Sequence, residues 1–347
     1  MPGRLTAVGQ AVLAAVLLLT QSVQAQSIRF SENRPMDYTF LDLAVVPAEF
    51  GTGEFSMELW IRPDAQFPTG PTLRGTYGQL RNWSDADPAP YSSPGWWHAG
   101  NWLLDGHTRP RGFNAGDSRE GTFSLQFYGG GRLRWMFADS GVDVPQGMVY
   151  AVQAWPAETT PSLLDGRWHH VVAIRRWREP AGATLELWID GRMVAHTDIP
   201  LRIDMQRFWH SLPHPDDPPE LGGWSFGAEV MTAWGMFFTQ YENYKGLFDD
   251  LRFWGRALDA AEIGRLASGQ TTKPPEGALA YFTFDEGQGN QSIDVLGSGL
   301  SIRIRNGRPD SWSGEGRSDI SLSSAVSEAG SKLVRSWFEN KPIISVG

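Results

Sequence analysis

The chain has 347 residues, a formal net charge of −9 and no cysteine. Without cysteine there can be no disulfide, no thiolate metal site and no cysteine nucleophile, so the core must hold the fold. An acidic balance also argues against binding nucleic acid or anionic lipid through bulk positive charge.

The first 25 residues have the pattern of a secretory signal peptide. Arg4 precedes an apolar run over residues 11–19, which is too short to span a bilayer. Val23-Gln24-Ala25 follows as a small-x-small cleavage pattern. The pattern predicts a secreted or periplasmic protein, cleaved near Ala25 and Gln26 and not inserted in the membrane afterwards. The alternative is that this run forms the first turns of a globular helix.

Short runs with alternating apolar residues recur after this segment, separated by Gly, Pro and Asp clusters. They cover residues 55–61, 122–128, 133–137, 168–174, 185–189 and 247–254. Regular short strands with turn residues between them predict an all-β antiparallel sandwich or jelly roll.

Two adjacent histidines lie within one of these runs. Successive strand side chains point to opposite faces, so His169 and His170 cannot ligate one ion as neighbours. We expect His169 on the face of Val171 and His170 on the face of Val172, in a central strand that is apolar on both sides. Both histidines are interpreted as structural hydrogen-bonding residues.

One helix is predicted after the last long strand. Asp259 is placed as its N-cap, with Glu262 three residues later and Gly269 as the stop. The apolar stripe consists of Leu258, Ile263 and Leu266.

Three segments lack strand patterning. Residues 68–121 read as a long loop-like insertion, residues 201–222 contain a Pro and Asp cluster unsuited to a central strand, and residues 311–347 form a polar tail. Loops this long in a compact domain are usually functional or disordered.

Four segments resemble the concanavalin A-like, laminin-G-type jelly-roll family. They are "FSMELWIRPD", "DGRWHHVVAIRRW", "LELWIDGRMVA" and "YKGLFDDLRFWGRALDAAEI", in the family's order and spacing. The resemblance implies a two-sheet antiparallel sandwich over residues 26–270. Residues 278–304 resemble the family's opening segment, although they follow the closing helix. Region 271–310 is therefore expected either to add strands to the first domain or to begin a truncated module.

Members of this family bind glycans, bind proteins or hold a structural calcium ion. The resemblance places Asp249 where calcium-binding relatives have an aspartate, so a structural Ca²⁺ is expected there. Alternatively, Asp249 accepts backbone amides or pairs with Arg252 or Arg256. Asp249 and Asp250 are expected on alternate faces of their strand. Asp285 and Asp294 are weaker calcium candidates.

The sequence carries no motif that indicates catalysis. It contains no E-x-D-x-E carboxylate triplet, no Gly-x-Ser-x-Gly and no His-Glu-x-x-His. A non-enzymatic protein is therefore predicted. The rival hydrolase or lyase class needs two carboxylates, or an Asp and a His, converging on the concave face.

The stretch "YSSPGWWHAGNW" and its flanks combine tryptophans with polar side chains. A flat indole stacks on the apolar face of a sugar while polar groups take its hydroxyls. The predicted glycan-binding residues are Trp96, Trp97, Asn101, Trp102, Asp105, His107 and Arg109. The alternative is that the tryptophans pin a long loop to the sandwich. The sequence thus predicts a lectin-like module for carbohydrate, with an extracellular or envelope protein-interaction module as the alternative.

Overall fold

The computed structural model describes fifteen stretches of the chain. These are residues 26–30, 39–43, 53–65, 80–82, 101–106, 121–128, 130–139, 148–154, 157, 159–180, 182–199, 224–227, 244–269, 276–305 and 311–314. The predicted signal segment and residues 201–222 lie outside them. Among the described residues, no helix has the length and apolar character needed to cross a membrane.

One antiparallel sheet, sheet A, contains eight described strands. They are β1 (Ser27–Phe30), β3 (Phe55–Pro63), β9 (His169–Trp177), β10 (Ala183–Ile189), β11 (Arg192–Ile199), β13 (Gly246–Trp254), β14 (Ala278–Phe282) and β17 (Trp312–Ser313). The order is β11-β10-β9-β3-β13-β1-β17, and β14 also pairs with β13. The strand that carries the two histidines, β9, is central as predicted.

The second antiparallel sheet, sheet B, contains nine described strands. They are β2 (Phe40–Leu43), β4 (Leu80–Asn82), β5 (Asn101–Asp105), β6 (Gly121–Tyr128), β7 (Arg132–Asp139), β8 (Met148–Ala154), β12 (Trp224–Phe226), β15 (Gln291–Ile293) and β16 (Ser301–Arg305). The order is β15-β16-β2-β12-β5-β6-β7-β8-β4. Two antiparallel sheets, with one short helix among the described residues, confirm the predicted jelly-roll class.

The core lies between the sheets, and alternate side chains along each strand point into it. Along β3, Phe55 and its alternate residues are fully buried in it. The Phe55 ring lies 5.2 Å from that of Phe123 and 5.9 Å from that of Trp135. The Trp135 indole also donates to the Ile174 carbonyl at 3.0 Å, which joins the two sheets. Apolar burial of this kind stabilises a domain without disulfides.

Residues 68–121, predicted as a loop-like insertion, are described only at 80–82, 101–106 and 121, and these parts are mainly strand. They contain β4 and β5, and β5 lies between β12 and β6 inside sheet B. The register of β5 shifts between Trp102 and Leu104, and both Leu103 and Leu104 join the core. Because this irregularity breaks the apolar alternation, the period-two pattern does not reveal the strand.

Region 271–310 adds strands to the first domain, rather than beginning a truncated module. β14 pairs with β13 in sheet A, whereas β16 pairs with β2 in sheet B. The pairing also continues past the predicted boundary at 310, because Trp312 and Ser313 form β17 against β1. Residues 315–347 of the predicted tail lie outside the described residues.

The predicted helix is confirmed as α1 (Ala260–Ala267). Asp259 is its N-cap, and its side chain and that of Glu262 form a reciprocal capping box. Ile263 and Leu266 pack on the face of sheet A that points away from the core, against Val172 and neighbouring apolar side chains.

We expect Asp259→Ala to lower the free energy of unfolding by about 0.5 to 2 kcal/mol, because the Glu262 backbone N–H loses its acceptor. Hydrogen bonds from Arg256, ahead of the opposing effect of burial, lower the pKa of Glu262 to about 2. The contribution of Glu262 is thus present above the ordinary glutamate pKa and is lost as the pH falls towards 2. Urea unfolding measures the stability lost in Asp259→Ala, and Asp259→Asn is the matched variant that keeps a capping oxygen. Equal stability of wild type and Asp259→Ala would contradict it.

Candidate functional site

Polar side chains form a row across the outer face of sheet B, the face that points away from the core. Asp42 lies directly opposite Ser225, Ser225 opposite Asp105, and Asp105 opposite Ser124. All four side chains are buried. Since residues directly opposite in antiparallel strands share a face, this row joins β2, β12, β5 and β6.

A second row lies beside the first and contains Trp102, Gln126 and Arg134 in register. Arg134 donates to Gln126 Oε1 through Nε at 3.0 Å and also through Nη2. Gln126 Nε2 in turn donates to Ser124 Oγ at 3.1 Å. This face thus combines guanidinium, amide, hydroxyl and carboxylate groups in one buried polar layer, in which Arg134, Gln126 and Ser124 bind one another.

The structure describes three of the seven predicted glycan-binding residues. Asn101 begins β5 and Asp105 ends it. Trp102 is fully buried, so its indole is not exposed for stacking on a sugar. This agrees with the alternative, in which the tryptophan pins its segment to the sandwich. The remaining four, Trp96, Trp97, His107 and Arg109, lie outside the described residues.

The two histidines lie on opposite faces and both bind carboxylates. His169 Nδ1 lies 2.9 Å from Asp190 Oδ2, and His169 Nε2 lies 3.0 Å from Asp165 Oδ1. Burial opposes the charged imidazole, but the hydrogen bonds and charges of the two aspartates raise the pKa of His169. Its ion pairs therefore stabilise the fold fully below the ordinary histidine pKa and are lost as the pH rises through the raised value.

His170 belongs to a buried cluster on the outer face of sheet A, which we call the Glu58 cluster. Glu58 Oε1 accepts from Arg252 Nη1 at 2.7 Å and lies 3.0 Å from His170 Nε2. Arg252 Nη2 lies 3.2 Å from Asp250 Oδ1 and donates to the Tyr281 hydroxyl at 2.8 Å. Burial raises the pKa of Glu58, but Arg252 and His170 outweigh it and lower that pKa.

The sequence did not predict the Glu58 cluster. Its members come from four strands and meet only through the register of β9, β3, β13 and β14. One available signal was Glu58 in the middle of a long strand pattern, because a carboxylate that becomes buried there requires a partner.

Asp249 and Asp250 are not on alternate faces as predicted. Asp249 lies opposite Trp60, and Arg252 lies opposite Glu58. Between these two pairs β13 has two residues where β3 has one, so β13 contains one extra residue. At this bulge Asp250 has a positive φ of 50°, and its carboxylate reaches Arg252 on the outer face. The extra residue removes the alternation that the prediction assumed.

The described residues show partners for two of the predicted calcium ligands, Asp249 and Asp294. Asp249 is buried, and its Oδ1 accepts the Asp250 backbone N–H at 2.9 Å. Within the described stretches, no three His, Asp or Glu side chains converge in a way that could hold a metal. Asp294 is occupied by backbone N–H groups, among them those of Tyr281 and Ser298, both at 2.7 Å. A calcium ion at Asp249 would need further oxygen ligands from backbone carbonyls, water or other parts of the chain.

A comparison with protein families finds a match that agrees with this architecture. Residues 96–264 match the family described as the concanavalin A-like lectin/glucanases superfamily. This chain carries a concanavalin A-like domain. The match begins within the segment that we had interpreted as an insertion, in agreement with the place of β5 in sheet B. No curated protein matches the chain.

Several solved structures are similar to the concanavalin A-like domain. A putative carbohydrate-binding protein from Bacteroides ovatus ATCC 8483 has 14% identity and a TM-score of 0.42, over 81% of this chain and 58% of that one. The SAP-like pentraxin from Limulus polyphemus has 14% identity and a TM-score of 0.38, over 81% and 95% of the two chains. The binding domain of botulinum neurotoxin serotype D has 10% identity and a TM-score of 0.33, over 71% and 43%. The chain therefore spans less than two thirds of the first of these structures.

Proposed function

We propose that this chain is an exported, non-catalytic, lectin-like module that binds carbohydrate at the outer face of sheet B. The polar row of Asp42, Ser225, Asp105 and Ser124 supports the proposal, because it places polar side chains on one face of a concanavalin A-like domain, beside the segment that carries the predicted residues. These four side chains are buried, so in this proposal they hold the strands that position the contacting residues rather than bind the sugar themselves. Since this superfamily includes members of varied function, the site rather than the fold carries the proposal.

The register of β5 separates two of the predicted residues. Asp105 lies opposite Ser124 on the outer face of sheet B, whereas Asn101 lies opposite Phe127, a residue of the core. Asp105 therefore shares the outer face with the polar row, and Asn101 does not. Trp96 and Trp97 precede β5 in the sequence, and His107 and Arg109 follow it, so residues flanking both ends of the strand belong to the proposed set.

We assign stacking on the sugar to Trp96 and Trp97, and hydroxyl recognition to His107 and Arg109. Of the other predicted residues, Asp105 is buried and Asn101 lies opposite the core residue Phe127, so both are assigned to the support of the site. Trp102 has a different role in this proposal. It lies on the same face as Gln126 and is fully buried, so it anchors β5 and positions the residues around it.

Export and calcium are part of the same proposal. The arrangement of Arg4, the apolar run and the Ala25 cleavage pattern supports export. The place of Asp249 in the family pattern supports a structural calcium ion. A calcium ion bound there would hold the β13 bulge through oxygen ligands.

Binding without turnover fits the two carboxylates of the polar row. Asp42 and Asp105 flank Ser225 from neighbouring strands, so their backbones are about 10 Å apart. A retaining glycosidase needs its carboxyl groups about 5 Å apart, whereas an inverting enzyme allows roughly 6.5 to 9.5 Å. The separation is far from the retaining distance, and the sequence contains no E-x-D-x-E triplet, so we expect no release of new reducing ends from any glycan that binds.

A glycan-array screen of the mature protein, residues 26–347, tests the proposal. We expect binding to a subset of oligosaccharides and at least about a tenfold loss of affinity in Trp96→Ala/Trp97→Ala, since each stacking contact contributes about 1 kcal/mol or more. Chelation of calcium is expected to weaken binding through loss of the bulge geometry. Far-ultraviolet circular dichroism confirms that each variant is folded.

Met193→Ala is the matched control, because Met193 is 48% exposed on β11, in the other sheet. It should bind as the wild type does. No binding to any glycan by the folded protein would favour the alternative, an extracellular or envelope protein-interaction module. A broad apolar contact surface is then expected instead of a polar one.

A further inference from the structure

The first described residue, Gln26, lies against the loop between β14 and β15. Its backbone N donates to Asp285 Oδ1 at 3.0 Å. Gly287, which has a φ of +67°, lies so close that a Cβ there would come within 2.1 Å of Gln26 Oε1. The backbone nitrogen and the side chain of Gln26 therefore both contact residues 285–287.

Asp285 is a half-buried carboxylate without a cationic partner among the described residues. In those stretches, Asp285 accepts a hydrogen bond from the backbone N of Gln26. Burial, together with the charges of Asp250 and Glu286, raises the pKa of Asp285 despite that hydrogen bond. Both neighbours are engaged elsewhere: Asp250 with Arg252, and Glu286 with Ser292 Oγ at 2.7 Å. A positive charge beside Asp285 would compensate for this environment.

Removal of the predicted leader creates such a charge. Cleavage between Ala25 and Gln26 turns the Gln26 amide nitrogen into an α-ammonium group, which is protonated below about pH 7.7 to 8.0. We propose that Asp285 binds the α-ammonium of Gln26 in the mature protein, so that cleavage converts a neutral hydrogen bond into an ion pair. This inference rests on the predicted cleavage site and does not require carbohydrate binding.

The ion pair joins two distant parts of the chain. Gln26 directly precedes β1, which pairs with both β13 and β17 in sheet A. Asp285 lies in the segment that connects β14 of sheet A to β15 of sheet B. A charge-assisted hydrogen bond is roughly twice as strong as a neutral one, so the mature chain holds this junction more firmly than the precursor does.

Thermal unfolding of four proteins at pH 6.5 tests the proposal. The first begins at Gln26 with a free amine, and the second has one additional N-terminal glycine, which restores the amide and moves the ammonium by about 3.8 Å. The other two are the same chains with Asp285→Asn. We expect the glycine to lower Tm by about 2 to 4 °C in the wild-type background and to have no effect with Asp285→Asn.

The pH dependence provides an independent readout. Pairing raises the pKa of the ammonium, so the Tm difference is present at neutral pH and is lost as the pH rises through that raised value. Asp64→Asn, an exposed carboxylate paired with Arg29, is the control and should preserve the glycine effect. Equal Tm values with and without the glycine, or a difference that persists with Asp285→Asn, would overturn the proposal. An exported protein that begins elsewhere, or whose Gln26 has lost ammonia by cyclisation, would also overturn it.

Discussion

Glu58→Ala is expected to lower the free energy of unfolding by about 3 to 5 kcal/mol, the usual cost of removing one partner of a buried ion pair. Glu58 is fully buried and forms its shortest contact, 2.7 Å, with Arg252. The substitution leaves the Arg252 guanidinium with Asp250 as its remaining carboxylate, at 3.2 Å. It also removes the acceptor beside His170 Nε2. A buried charge that loses a partner cannot recover its solvation.

Urea unfolding at neutral pH measures this loss. Asp64→Ala is the matched control, because its pair with Arg29 is solvent-exposed and should contribute less than about 1 kcal/mol. A double-mutant cycle with Arg252→Met should show strong coupling, since the two side chains are in direct contact. The folded-state pKa of Glu58 is lowered, so its contribution is present above the ordinary glutamate pKa and declines as the pH falls through the lowered value. A loss no larger than that of Asp64→Ala would contradict this view of the cluster.

Gly246→Ala is expected to cost about 2 to 5 kcal/mol, from backbone strain and overpacking together. Gly246 begins β13 with a φ of +144°, a conformation that L side chains rarely adopt. A Cβ at this position would lie 2.4 Å from the Arg62 carbonyl oxygen and 2.8 Å from the Pro63 Cα. Both obstacles are backbone atoms of the paired strand β3, so they cannot rotate away as a side chain could.

Gly264→Ala provides the opposite result within the same protein. Gly264 lies inside α1, and a Cβ there meets nothing within 4 Å. Alanine in a helix interior should stabilise by about 0.5 to 1 kcal/mol. Denaturant unfolding of both variants gives the comparison. Similar effects from the two substitutions would show that the β1–β13–β3 junction tolerates a side chain at Gly246.

The sequence predicted elements whose signals are local. The helix was predicted with its N-cap Asp259 and its stop at Gly269, because capping residues and the apolar stripe lie within one short stretch. The strand with His169 and His170 was predicted as central because its residues are apolar on both faces. Both predictions depend on neighbouring residues only, and the structure confirms them.

Features that depend on strand register could not be predicted. The bulges in β5 and β13 each add a residue, which hides β5 from a search for alternation and brings Asp250 to the face of Glu58. For the same reason, the sequence could not show that Trp102 is buried, nor that Asp42 and Asp105 lie across Ser225 from each other. Asp42 and Asp105 are 63 positions apart in the sequence, and Asp42 and Ser225 are 183 apart, so no local pattern encodes these relationships.

Hydrogen exchange with a glycan identified on the array tests the proposed site most directly. We expect bound oligosaccharide to slow amide exchange in β5 and β6, with sheet A at β9 and β10 unchanged. Protection in these sheet A strands, or no change in β5 and β6 at saturating glycan, would contradict the assignment of carbohydrate binding to the outer face of sheet B.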